Sequence, residues 1–71
     1  MPKLPVLSGQ EIVRLLMRLG FEHVRQRGSH VVLRRGGRGC VVPMHKEVKT
    51  GTLATILRQS EVTLDELIDR H

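Results

Sequence analysis

The feature that most constrains what this chain can fold into is the change of hydrophobic period at Gly20. Before it, Ile12, Leu15, Leu16 and Leu19 recur at helical spacing, the stripe that an amphipathic helix buries. After it, the pattern is extended and glycines cut it into short runs: Phe21 to Gln26, His30 to Arg35, and Cys40-Val41-Val42 ended by Pro43. Gly28-Ser29 supplies the first turn; Gly36-Gly37 with Gly39 supplies the second, with Arg38 at its tip. Short strands joined by tight hairpins pair antiparallel, because a parallel pair needs a long crossover.

The flanking segments carry helix signals. Ser8 is a natural N-cap with Glu11 three residues on, a capping box, and Leu7 and Ile12 sit where a hydrophobic staple would. Gly20 suits the position just past the helix end. Arg14 and Arg18 share the solvated face of this helix. Met44 to Lys49 reads as a polar connection. Thr50 is expected to cap a second helix with Leu53, Ile56 and Leu57 on its buried stripe. Thr63, with Glu66 at the third position and Val62 and Leu67 as staple, caps a short third helix.

The resulting order, α-β-β-β-α-α, is an α+β fold: a three-stranded antiparallel sheet with helices packed on one face, leaving the other face or the rim free for a partner. Strand alternation puts His30, Val32 and Arg34 on one face and Val31, Leu33 and Arg35 on the other. A one-residue slip would exchange the two sets.

With 71 residues, the chain is expected to form a single domain, 1–71, burying only about 60% of the surface its unfolded form exposes. A large enclosed pocket or a separate cofactor domain does not fit, so no cofactor is expected. The single Cys40 cannot form an internal disulfide. No apolar run approaches the roughly 20 residues that cross a bilayer, and Met1-Pro2-Lys3-Leu4-Pro5 does not read as a signal peptide. The expected location is therefore cytoplasmic, without membrane attachment.

Charge is unevenly spread. From Arg14 to Lys49, nine Lys/Arg stand against Glu22 and Glu47, a net +7; from Thr50 to His71, two Arg stand against Glu61, Asp65, Glu66 and Asp69, a net −2. A basic half of this kind is the footprint of a protein that meets a polyanion; a merely solvated basic surface is the alternative.

Within that half, Gly28-Ser29-His30 places an imidazole at the mouth of a strand, with Arg25, Arg27, Arg34 and Arg35 close in sequence. A histidine in a model peptide titrates near about 6.5 and can both take and give a proton around neutrality. RNA cleavage needs no protein nucleophile, since the substrate's own 2′-hydroxyl can attack the adjacent phosphorus. It needs a base, an acid and cations for the developing charge. His30 fits the proton shuttle, with Arg25, Arg27, Arg34, Lys46 and Lys49 as phosphate contacts; on the tripeptide alone an ordinary strand histidine is the favoured alternative. His45, held after Pro43, fits either a partner to His30, a phosphate contact or an exposed loop residue.

Other chemistries are poorly supported. Cys40, His45, His30 and His23 lack paired metal-ligand spacing, and no carboxylate pair stands in the basic half to hold Mg²⁺. No metal is expected. Gly36-Gly37-Arg38-Gly39 lacks the following helix N-terminus that a phosphate cradle requires. Phe21 is the only aromatic residue, so recognition by base stacking is disfavoured against contacts to phosphate and sugar.

In order along the chain, Leu19-Gly20-Phe21, Arg25-Gln26, Gly28-Ser29-His30, Val41-Val42-Pro43 with His45, Gly51-Thr52-Leu53 and Ile56-Leu57-Arg58 resemble the HicA (YcfA-like) family, over about residues 8 to 68. HicA proteins are small toxins of type II toxin–antitoxin pairs. The resemblance implies a double-stranded-RNA-binding-domain-like fold and translation-independent mRNA cleavage with His30 as the active residue, presented by Gly28 and Ser29. It also implies a HicB antitoxin that neutralises the toxin by covering this region. Leu33 stands where relatives often carry an aromatic residue, and the second hairpin is short and glycine-rich. The expected function is a metal-independent mRNA endoribonuclease acting through His30. The alternative is a non-catalytic basic RNA-binding module of the same fold, and a plain interaction domain is the third reading.

Overall fold

The computed structural model describes residues 4–68; residues 1–3 and 69–71, the ends of the expected domain, lie outside the described residues. The chain runs α1 (Gly9–Arg18), β1 (Glu22–Arg27), β2 (His30–Arg35), β3 (Arg38–Pro43), α2 (Thr50–Ser60) and α3 (Leu64–Ile68). The strands form one antiparallel sheet in the order β1-β2-β3. The α+β architecture read from the sequence is the one observed.

Local chemistry sets the helix boundaries. Ser8 Oγ accepts from the Glu11 N–H at 3.0 Å while Glu11 Oε1 accepts from the Ser8 N–H at 2.9 Å, closing the expected capping box. At the other end the Phe21 N–H donates to the Leu16 carbonyl and the Gly20 N–H to Met17, the paired bonds of a Schellman ending. That ending needs a left-handed residue, and Gly20 supplies it with φ +98°. Leu16 and Phe21 are both buried, so the motif also ties the helix end into the core. Thr63 and Glu66 repeat the capping box at α3.

Three sequence expectations need correction. Thr50 is not a cap: Lys49 occupies that position with extended backbone and no side-chain capping bond, and Thr50 is the first helical residue. The Leu53 N–H already bonds to the Lys49 carbonyl, so the first turn closes one residue earlier than the threonine signal suggests. Arg38 and Gly39 are not turn residues but open β3, because Gly36-Gly37 alone makes the reversal, with Gly36 at φ +59° and Arg35 paired to Arg38. Strand β1 covers Glu22–Arg27, not Phe21–Gln26. Phe21 is 2% exposed and belongs to the core beneath the helix ending.

Alternation holds in β2: Val31 and Leu33 are buried with Cys40 and Val42 of β3, while His30 and Arg34 are exposed. Ile12 and Leu16 of α1, Leu53 and Ile56 of α2, and Leu67 of α3 join this core, with Val48 of the β3–α2 connection also buried in it. Arg35 shares the parity of Leu33 but stays exposed, its guanidinium lying over Gly20. All three helices therefore serve one side of the sheet, and the opposite side is open.

Candidate functional site

Register decides what the open side displays. Cross-strand partners share a face, so β2 organises three rows there. The first is Arg27–His30–Pro43, the second Arg25–Val32–Val41, and the third Glu22–Arg34–Gly39. Arg25, Arg27, His30 and Arg34 are all exposed. The register puts His30, Arg25, Arg27 and Arg34, the residues singled out in the sequence, on one face of the sheet.

The pairing depends on one irregularity. Between His23 and Arg25 the β1–β2 register shifts at Val24, a bulge that puts two residues of one strand against one of its partner. Without it Arg25 and Arg27 would point to the helix side, and the open face would lose two of its three arginines. The bulge leaves Val24 52% exposed, and Val41 in the middle row is 43% exposed. With the half-buried Val32, these valines form an apolar strip between the cations. Sequence inspection missed this strip. Its only sequence trace is the alternation in Arg38–Pro43 that turns Val41 away from Cys40 and Val42.

His30 is presented by the β1–β2 turn. Gly28 takes φ +57°, a left-handed conformation that favours glycine, and the Gln26 side-chain amide donates to its carbonyl at 3.0 Å. Ser29 offers its carbonyl to the Met44 N–H at 2.6 Å, so the ladder continues one step past β3. His45 comes next, its carbonyl accepting from the Gly9 N–H at 2.9 Å. The structure therefore brings His45 to the end of the sheet that carries His30. Lys46 and Lys49 lie on the β3–α2 connection instead of the sheet, both exposed, and Lys49 lines a shallow cleft with Val6, Glu47 and Thr50.

The remaining basic residues have other neighbours. Arg38 Nε stands 3.8 Å from Glu61 Oε1, both side chains largely exposed. The carboxyl of Glu66 is held below its ordinary 4.5 by hydrogen bonds from the Thr63 backbone and hydroxyl, then by the charges of Arg38 and Arg35. Arg35 and Arg38 thus face the acidic α2–α3 end, leaving Arg25, Arg27 and Arg34 as the cations of the open face. Cys40 is buried and desolvation pushes its thiol up to about 11, which removes it as a nucleophile near neutrality. Among the described residues, no three His, Cys, Asp or Glu side chains gather in a group able to hold a metal ion. Nor is any described helix long and apolar enough to cross a membrane.

This order of elements agrees with a comparison against protein families. Residues 9–62 match the family described as HicA toxin of bacterial toxin–antitoxin. The chain belongs to the HicA toxin family. The matched span runs from the first residue of α1 to Val62 after α2 and contains every candidate residue from Arg25 to Lys49. No curated protein matches the sequence. As a HicA toxin the protein is the toxin member of a toxin–antitoxin system, a family whose members are generally ribonucleases, and it has an antitoxin as partner and RNA as target.

Proposed function

We propose that this HicA toxin is a metal-independent mRNA endoribonuclease and that His30 is its general acid–base. The observation that supports this most directly is the row Arg27–His30 on the open face, with Arg25 two residues from Arg27 and Arg34 four residues from His30 on the same side. Phosphodiester cleavage then proceeds by attack of the 2′-oxygen on the adjacent phosphorus. His30 takes the 2′-hydroxyl proton, the P–O5′ bond breaks, and the departing 5′-oxygen takes up a proton, giving a 2′,3′-cyclic phosphate and a 5′-hydroxyl. Arg25, Arg27 and Arg34 offset the charge that builds on the phosphoryl oxygens, while Lys46 and Lys49 extend the backbone contacts beyond the sheet. Gly28 and Ser29 fix the turn that presents the imidazole.

The substrate is held by phosphate and sugar, with the strip of Val24, Val32 and Val41 giving apolar contact in place of stacking. A HicB-type antitoxin covering this face neutralises the toxin, and mRNA as target places it in the cytoplasm. Incubation of the protein with RNA in excess EDTA tests the reading. Fragments ending in 2′,3′-cyclic phosphate are expected from wild type and not from His30→Ala. Salt-sensitive RNA binding with no cleaved ends, unchanged by His30→Ala, would instead establish the non-catalytic binding module.

A further inference from the structure

The proposed cleavage leaves one proton without a carrier. In an in-line displacement the entering 2′-oxygen and the departing 5′-oxygen lie on opposite sides of the phosphorus. A base beside the 2′-oxygen therefore does not reach the 5′-oxygen in the same step, and the alkoxide needs a second donor on the far side. That donor must be exposed, near His30, and able to be protonated near neutrality.

We propose that His45 is this second proton-transfer group; the inference rests on the reading of His30 given above. Among the described residues only three histidines are available. His23 pairs with Leu33, three residues along β2 from His30 and on the parity of the core. Cys40 is buried. His45 lies two residues beyond Pro43, the partner of His30 across the β2–β3 ladder, and is exposed as His30 is.

The segment that carries His45 is held in place. On its N-terminal side the Met44 N–H bonds to Ser29, the residue before His30, and on its C-terminal side the Val48 N–H bonds to Leu7 at 2.7 Å. Between them, the His45 carbonyl is bound by the Gly9 N–H. That last contact needs a glycine. A Cβ on Gly9 would overlap the Pro43 carbonyl oxygen and lie 2.8 Å from Met44 Cα. The start of α1 is thus pressed against the backbone of residues 43–45, fixing where the second imidazole leaves the chain relative to the first.

Cleavage then balances as follows. His30 accepts the 2′-hydroxyl proton as the 2′-oxygen bonds to phosphorus, and protonated His45 donates to the 5′-oxygen as the P–O5′ bond breaks. One imidazole must start neutral and the other charged, so the rate passes through a maximum with pH. The charged groups on the surrounding elements are Glu22, Arg25 and Arg27 of β1, Arg34 of β2, Lys46 and Glu47 beside His45, and Glu11 in the first turn of α1.

The test compares wild type, His45→Ala and His30→Ala on two short RNAs, one ordinary and one whose scissile 5′-oxygen is replaced by sulfur. A thiolate departs without being protonated, so only the donor becomes dispensable. His45→Ala should cleave ordinary RNA about 10²–10⁴-fold more slowly, lose the high-pH fall of the rate profile, and recover to near the wild-type rate on the sulfur substrate. His30→Ala should stay slow on both. Because the Gly9 bond uses the His45 backbone, the alanine variant retains it, and an unchanged melting temperature checks this. Equal defects of His45→Ala on both substrates, or none on either, overturn the role of His45 while leaving His30 standing. Full activity of His30→Ala, or no cleavage by wild type, overturns the reading beneath it as well.

Discussion

Replacing Gly9 by alanine sets two forces against each other at the first residue of α1. Helix propensity favours the change: alanine at a compatible site stabilises by about 0.4–1 kcal/mol, mainly by restricting the unfolded chain. Packing opposes it. The new methyl would overlap the Pro43 carbonyl and crowd Met44 Cα at 2.8 Å, and both are backbone atoms that cannot swing aside. Overpacking of this kind costs about 1–3 kcal/mol, and displacing α1 also loses the Gly9 N–H bond to His45, about 0.5–1.5 kcal/mol more. The net expectation is a loss of about 0.5–4 kcal/mol, a fall in Tm of at least about 2 °C for a domain of this size. Gly51 supplies the internal control. It too lies in a first helical turn, but a Cβ there meets nothing within 4 Å, so Gly51→Ala should raise stability by about 0.4–1 kcal/mol. Thermal and urea melts of both variants decide the matter. A Gly9→Ala protein that melts at or above wild type would refute the steric argument and the anchoring of residues 43–45 with it.

Further outcomes follow from the caps, the thiol and the cations. Hydrogen bonds from the capping residues hold Glu11 and Glu66 below their ordinary 4.5; a folded value below the unfolded one contributes stability above pH 4.5 that is lost as pH falls through the lowered values. Tm measured from pH 7 to 3 should therefore drop less steeply for Glu11→Gln/Glu66→Gln than for wild type, and identical slopes would contradict this. Cys40, buried with its thiol raised to about 11, should react with a thiol reagent only as fast as the protein unfolds; rapid labelling in buffer would mean that β3 opens locally. In RNA-binding titrations, Arg27→Ala should reduce the slope of log K against log salt by about 0.7, the value for one phosphate contact on a single strand. Arg14→Ala, on the helix side of the molecule, should leave that slope unchanged.

The sequence made the local features legible and hid those that depend on distant partners. Ser8 with Glu11, Thr63 with Glu66, and Gly20 act within one helical turn, and each performs the role its spacing indicates. The inward Val31 and Leu33 were readable because β2 is the central strand, with one covered face that imposes alternation. Strand β1 lacks that imprint. Every residue from Glu22 to Arg27 is exposed, so no buried period marks its limits, and the bulge at Val24 breaks such alternation as exists. Yet that bulge puts Arg25 and Arg27 on the side of His30. Thr50 misled because a threonine before an apolar stripe looks the same whether it caps the helix or begins it. Gly9 carried no legible signal: a glycine after an N-cap reads as a weak helix former until Pro43 and Met44 are seen against it. The likeness to the HicA family named His30 from the ordered motifs, but the row joining it to Arg27, and the valine strip beside it, required the register.

The central claim is that His30 moves protons on RNA held by its backbone. Single-turnover cleavage with enzyme in excess, paired with RNA affinity under the same conditions, tests it most directly. His30→Ala should bind RNA within a few-fold of wild type and cleave it about 10²–10⁴-fold more slowly. A variant that binds normally and cleaves at the wild-type rate would contradict the claim.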